Sequence, residues 1–170
     1  YLAKFFHQAL AGKGKVVGTD MSLTAPALAM CDVAKQVPAV SDENYLDLLL
    51  GIIKEQQIDM LFSLNDLELE LLVENRDLIE HETGATVYVP SPEALAICAD
   101  KWETFKFAKN VGIPVPETWL TVNSALKALD SSQVSFPLIV KPRWGSASIG
   151  LFVVHDKETL EEAFEACERA

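Results

Sequence analysis

Leu2, Phe5, Phe6, Ala9 and Leu10 recur at helical spacing, so residues 1–11 are expected to form a helix with one apolar face. The period then changes. "KVVGTD" (15–20) reads as a short buried strand ending in an acid, "APALAMCD" as a short helix after Pro26, and "AKQVPA" as a weaker strand. "SDENYLDLLLGIIKEQQ" predicts a helix capped by Ser41, with Tyr45, Leu48, Leu49 and Ile52 on one face. "IDMLFSL" (58–64) is a continuous apolar run, the pattern of a parallel strand covered on both sides. "NDLELELLVENRDLIEHETG" predicts a further helix, capped by Asn65 or Asp66 and ended by Gly84, with Leu64, Leu67, Leu71 and Leu78 on or near its apolar face. "ATVYVPSP" is the next strand. This alternation of strand and helix is the signature of an open, mostly parallel α/β sheet.

The texture changes near Pro90, where a second module is expected to begin, dividing the chain into residues 1–90 and 91–170. "SPEALAICADKWETFKFAKNVGIPVPETWLTV" is helical up to Gly112, with Lys101 beginning a helix after "CAD"; two prolines and a strand through Trp119 follow. "NSALKALDSS" supplies a helix, "FPLIVKP" and "GLFVVHD" form a hairpin, and "KETLEEAFEACERA" is a helix running to the last residue. A doubly wound domain ordinarily starts with a strand, whereas this chain starts with a helix, so both ends are expected to be cut. The sequence is silent on oligomeric state; a homodimer is possible, and an apolar surface exposed at a cut end would make the fragment dimerise artificially.

At 170 residues and 49% hydrophobic content the chain can bury a substantial core, which excludes a disordered class. A formal charge of −11 argues against a nucleic-acid partner, since that affinity rests on basic residues releasing counterions. Cys31, Cys98 and Cys167 are odd in number and far apart, so neither a disulfide framework nor a zinc knuckle is expected. His7, His81 and His155 are equally scattered, and no metal site is assigned. Without an apolar run approaching about 18 residues, no membrane span is predicted, and a soluble cytoplasmic protein is expected.

The loop "RWGSASIG" offers small side chains and backbone N–H groups suited to an anion. It is not a Walker loop. Gly145 to Gly150 has the four-residue gap, but Leu151 and Phe152 stand where Lys and Ser or Thr belong, and the lysine, Lys141, precedes the loop. Two readings of Lys141 stand side by side: an ammonium neutralised by phosphate, or a side chain on the wet face of an edge hairpin. Lys101 sits near a positive helix terminus, where a cation is disfavoured; it serves a ligand, or Asp100 caps the helix and leaves it solvated. Asn65, Asp66 and Glu68 follow the strongest strand, where ligands of open α/β sheets sit, and they equally suit a helix cap and first turn. Asp20 ends a strand where an acid can hold a ribose hydroxyl, so an NAD-binding Rossmann protein is an alternative for the first module.

Taken together, "ADKWETFKFAKNVGIPVPETW", a helix, and "FPLIVKPRWGSASIGLFVV" resemble the start of the ATP-grasp fold, as in biotin carboxylase and the carbamoyl-phosphate synthase large chain. The resemblance covers about residues 90–165. "KVVGTD", "LNDLELELL" and "TVYVPSPEALAICADK" resemble the family's pre-ATP-grasp domain, which implies a Rossmann-like domain lacking its first strand, followed by a truncated N-terminal ATP-grasp subdomain. The resemblance implies that Lys101 and Lys141 reach ATP phosphates, and that Gly145, Ser146, Ala147, Ser148 and Gly150 form a loop closing over the triphosphate. The implied full-length protein is an ATP-dependent carboxylate-amine ligase resembling the carbamoyl-phosphate synthase large chain. It uses ATP, Mg²⁺ and a small carboxylate or amine substrate, with an acyl-phosphate intermediate. The loop has fewer glycines than that of biotin carboxylase, and Trp144 is bulky for it. The family's adenine hinge and its Glu and Asn ligands for Mg²⁺ belong downstream of residue 170, and Glu161, Glu162 and Glu165 read as a solvated helix face. The fragment alone is therefore expected to be inactive, with no catalytic residue assigned. A non-catalytic nucleotide- or metabolite-binding module is the alternative, told apart by whether those downstream ligands are present.

Overall fold

The computed structural model describes residues 2–145 and 147–168. The chain divides into two compact units, residues 1–89 and 90–170.

The first unit runs α1 (Leu2–Leu10), β1 (Val17–Asp20), β2 (Val33–Gln36), α2 (Tyr45–Gln56), β3 (Met60–Leu61), α3 (Asp66–Glu74), α4 (Arg76–Thr83) and β4 (Thr86–Val87). Its strands form two parallel pairs, β1 with β2 from Val17↔Val33 to Asp20↔Gln36, and β3 with β4 through Met60↔Thr86 and Leu61↔Val87. The helix expected after Pro26 shrinks to a 3-10 turn at Leu28–Met30, which packs so closely on β1 that a Cβ on Gly18 would lie 2.6 Å from Cys31 Sγ and 2.8 Å from Leu28 Cδ2. Ser41 is not the cap of α2. Asn44 holds that position, and the Asp42 carboxylate accepts from the Asn44 backbone and side-chain nitrogens. The run 58–64 forms ladder bonds only at Met60 and Leu61, and Met60 is exposed, so this strand is covered on one side at most.

One helix expected over residues 65–83 is two, broken at Asn75. The Asn75 side chain and backbone N–H both donate to the Leu71 carbonyl, an alternative to continuing the helix that short amide side chains offer readily. Gly84 ends α4 in the left-handed conformation, as expected. The buried face is turned by one residue from the expected one. Leu72 and Ile79 are fully buried, whereas Leu64 and Leu67 are 78% and 73% exposed. Glu68, at the next position along this buried face, is itself buried, and a polar residue there disguised the face. The core gathers Val37, Tyr45, Leu49, Ile52, Ile53, Leu72, Ile79 and Val87.

The second unit runs α5 (Pro92–Ala99), α6 (Lys101–Asn110), α7 (Val122–Asp130), β5 (Leu138–Val140), β6 (Phe152–Val154) and α8 (Lys157–Glu168). Ser91, Asp100 and Thr121 cap α5, α6 and α7 with their side-chain oxygens. No strand forms through Trp119; the prolines of "IPVPETW" remove donors a ladder needs, and Trp119 packs on the core instead. The hairpin forms as predicted, antiparallel with Ile139↔Val153 at its centre. Val140, Val154, Leu160, Ala163 and Ala125 make the core under it.

Candidate functional site

The strand β5 alternates: Ile139 is exposed, Val140 buried and Lys141 exposed again. Lys141 therefore shares the outer face with Ile139, and its ammonium carries no hydrogen bond or ion pair to another described residue. Its stem crosses no core, so the wet-face geometry is the one observed. The described residues 143–145 and 147–150 then bend and turn between the two strands. Gly145, Ala147, Ser148 and Gly150 all have positive φ, at 100°, 56°, 59° and 70°. Ser146 lies outside the described residues. Left-handed residues beside right-handed ones can turn successive N–H groups into concavities that accept anions. Gly150 is the position that tolerates no substitute: besides its φ, a Cβ would stand 2.9 Å from Pro142 Cγ. Its carbonyl accepts from the Cys167 thiol of α8 at 3.2 Å, which ties down the far end of the loop, and burial pushes that thiol's pKa up.

The near end is tied to α6. Lys101, which opens that helix, donates from its ammonium to the Gly145 carbonyl at 2.7 Å and to the Arg143 carbonyl at 3.4 Å. Its backbone N–H also donates to the Arg143 carbonyl, at 3.2 Å. Arg143 in turn forks onto Asp100: Nε lies 2.9 Å from both carboxylate oxygens and Nη2 lies 2.6 Å from Oδ2. Asp100 Oδ1 still accepts from the backbone N–H groups of Trp102 and Glu103, at 2.9 and 3.4 Å. The Arg143 fork, with those N–H groups, holds the Asp100 carboxyl at about 2. The Arg143 guanidinium also lies 4.7 Å from the Trp144 ring centroid, so the bulky indole, 61% exposed, has a cation partner.

Lys101 thus bonds the carbonyls of the loop, whereas Lys141 stands exposed at the end of the strand that leads into it. Arg143 and the double duty of Asp100 are not indicated by the sequence, because their partnership spans more than 40 residues and no local period signals it. The only hint is an arginine between Pro142 and Trp144 in a loop of small residues.

The weaker candidates lie in the first unit. Asn65 caps α3 by accepting from the Leu67 N–H at 3.1 Å, and Asp66 is an exposed first-turn acid. Glu68 is 9% exposed and accepts from the Tyr45 hydroxyl and from the Ser63 hydroxyl. These two bonds link α2, the turn after β3 and α3. Asp20 Oδ1 accepts from the Ser22 N–H at 2.9 Å and so organises the turn after β1. Among the described residues, no group of three or more His, Cys, Asp or Glu side chains is placed to hold a metal ion, and no helix is long and apolar enough to cross a membrane.

Residues 1–87 match the family described as PylC-like, N-terminal domain, and residues 98–167 match the ATP-grasp domain, the stretch that holds both lysines and the loop after Lys141. The chain belongs to the PylC-like and ATP-grasp families. Among the curated relatives of this ATP-grasp chain, N5-carboxyaminoimidazole ribonucleotide synthase of Synechocystis is 41% identical over 62 residues, which is 36% of this chain and 14% of the relative. D-alanine–D-alanine ligase of Clostridium botulinum is 36% identical over 78 residues, 44% of this chain and 25% of that enzyme. Solved structures agree on the fold. Biotin carboxylase of Campylobacter jejuni, in a complex with a β,γ-ATP compound, superposes with a TM-score of 0.65 at 23% identity over 99% of this chain and 39% of its own. The biotin carboxylase domain of Hydrogenobacter thermophilus 2-oxoglutarate carboxylase, a dimer with MgADP and bicarbonate, gives 0.63 at 20% identity, again over 99% and 39%. This ATP-grasp chain therefore spans well under half the length of the relatives it matches.

Proposed function

We propose that the chain is the N-terminal part of an ATP-dependent carboxylate-amine ligase of the carbamoyl-phosphate synthase large chain type, and that residues 101–150 bind the ATP phosphates. One observation carries this reading: the ammonium of Lys101 grips the loop that Lys141 leads into, so one cation holds the loop and a second stands exposed just before it. Phosphate suits that arrangement. An exposed Lys141, with no ion pair among the described residues, has its charge available for a ligand, and Gly145, Ala147, Ser148 and Gly150 give the loop the left-handed backbone that suits an anion. Paired cations neutralise charge on a transferring phosphoryl group, and a loop that covers it keeps water from an acyl-phosphate.

Bound ATP would supply the phosphoryl group that activates a carboxylate, with Mg²⁺ held by residues outside those described. The fragment alone is inactive in this reading, and the whole protein is a cytoplasmic enzyme acting on a small carboxylate and an amine, as a homodimer. The matches to ligases support the reaction class, and the dimeric MgADP complex of the Hydrogenobacter domain supports the ligand and the assembly.

The test uses the full-length protein. ATP with Mg²⁺ at a hundredfold excess over Kd stabilises a folded protein by about 2.7 kcal/mol, a shift easily read in a thermal melt. Lys141→Ala is expected to remove most of that shift. A variant that keeps it overturns the phosphate role of Lys141.

A further inference from the structure

We infer that Arg143 is a positioning residue for the nucleotide site, acting through Lys101; this rests on the phosphate reading above. Its guanidinium is committed elsewhere. Both Asp100 oxygens take it, at 2.6 to 2.9 Å, Glu103 Oε1 lies 3.7 Å away, and the Trp144 ring covers one face. A guanidinium so engaged does not reach for phosphate. What it does is fix its own backbone: the Arg143 carbonyl accepts from both the N–H and the ammonium of Lys101, and Gly145, two residues on, accepts from the same ammonium at 2.7 Å.

The geometry has a direction. Asp100 is anchored first, by the N–H groups of Trp102 and Glu103 at the start of α6, and Arg143 docks onto it with a planar fork that lysine cannot reproduce. The docked arginine sets the first turn of the loop, and the carbonyls of that turn hold the Lys101 ammonium in place. Side-chain freedom that Lys101 would otherwise lose on meeting a phosphate is lost in advance. Without Arg143 the lysine remains, but its ammonium is no longer held beside the loop.

The experiment is a mutant cycle on ATP affinity in the full-length protein, read by calorimetry. Arg143→Ala is expected to weaken ATP about tenfold, in the range of couplings between contacting residues. Lys101→Ala weakens it at least as much, and the double variant is no weaker than Lys101→Ala alone. Arg143→Lys, a milder change for the case in which the alanine variant fails to fold, loses about threefold and loses nothing further in the Lys101→Ala background. Additive losses overturn the inference while leaving the phosphate site standing. Wild-type protein that binds no ATP overturns the phosphate reading and this inference with it.

Discussion

Glu68 is a buried carboxylate that accepts from two hydroxyls, with no ion pair among the described residues. The effect shows on its partner. Burial, then the hydrogen bond to Glu68 and its negative charge, push the Tyr45 hydroxyl's pKa upward. An unfolded tyrosine ionises near pH 10, so above about pH 10 the unfolded chain releases a proton that the folded chain keeps, and stability falls as pH rises. Below that pH the contribution is fully present. Tyr45→Phe is expected to cost about 1 to 2 kcal/mol at neutral pH, by removing a donor from a buried carboxylate. It should also make the alkaline loss shallower, as measured by urea unfolding at about pH 8 and about pH 11. An equally steep loss in the variant would show that Tyr45 ionises as freely folded as unfolded.

Among elements, α3 and α4 make the sharpest case, since their buried face is displaced by one position from the leucine series 64, 67, 71 and 78. Leu72→Ala, at a fully buried site, is expected to cost about 2 to 5 kcal/mol. Leu67→Ala, on the exposed side, is expected to stay within about 0.5 kcal/mol. Urea melts of the two variants decide it, and equal losses would refute the rotated face. The displacement also explains what a sequence can and cannot convey. Strand and helix alternation, the capping of α6 by Asp100 and the β5–β6 hairpin are written in local periods and local oxygen donors, so they were legible. The polar member of a buried face was not, because Glu68 is made tolerable by Tyr45, 23 residues away. The prolines before Trp119 withhold donors that a strand needs, and the Asp42 turn displaces Ser41 as the start of α2. At the candidate site, Lys101, Lys141 and the small-residue loop were visible as residue types, while the arginine that fastens loop to helix was not.

At the scale of the whole chain, charge is the dominant quantity. A formal −11 over 170 residues means mutual repulsion in the folded state, opposed by local pairs such as Lys35–Glu55 and Lys157–Asp130. Raising salt from about 10 mM to about 150 mM shortens the screening length from about 30 Å to about 8 Å, and the melting temperature is expected to rise. A fall would mean that the paired charges outweigh the net repulsion. The two short parallel ladders of the first unit carry a practical consequence. A strand with one hydrogen-bonded neighbour presents a row of open donors and acceptors along its other side, and such a row templates pairing with another chain. Preparations of this 170-residue chain should therefore be kept dilute and short-lived, since such open strand edges seed intermolecular β-association in a test tube.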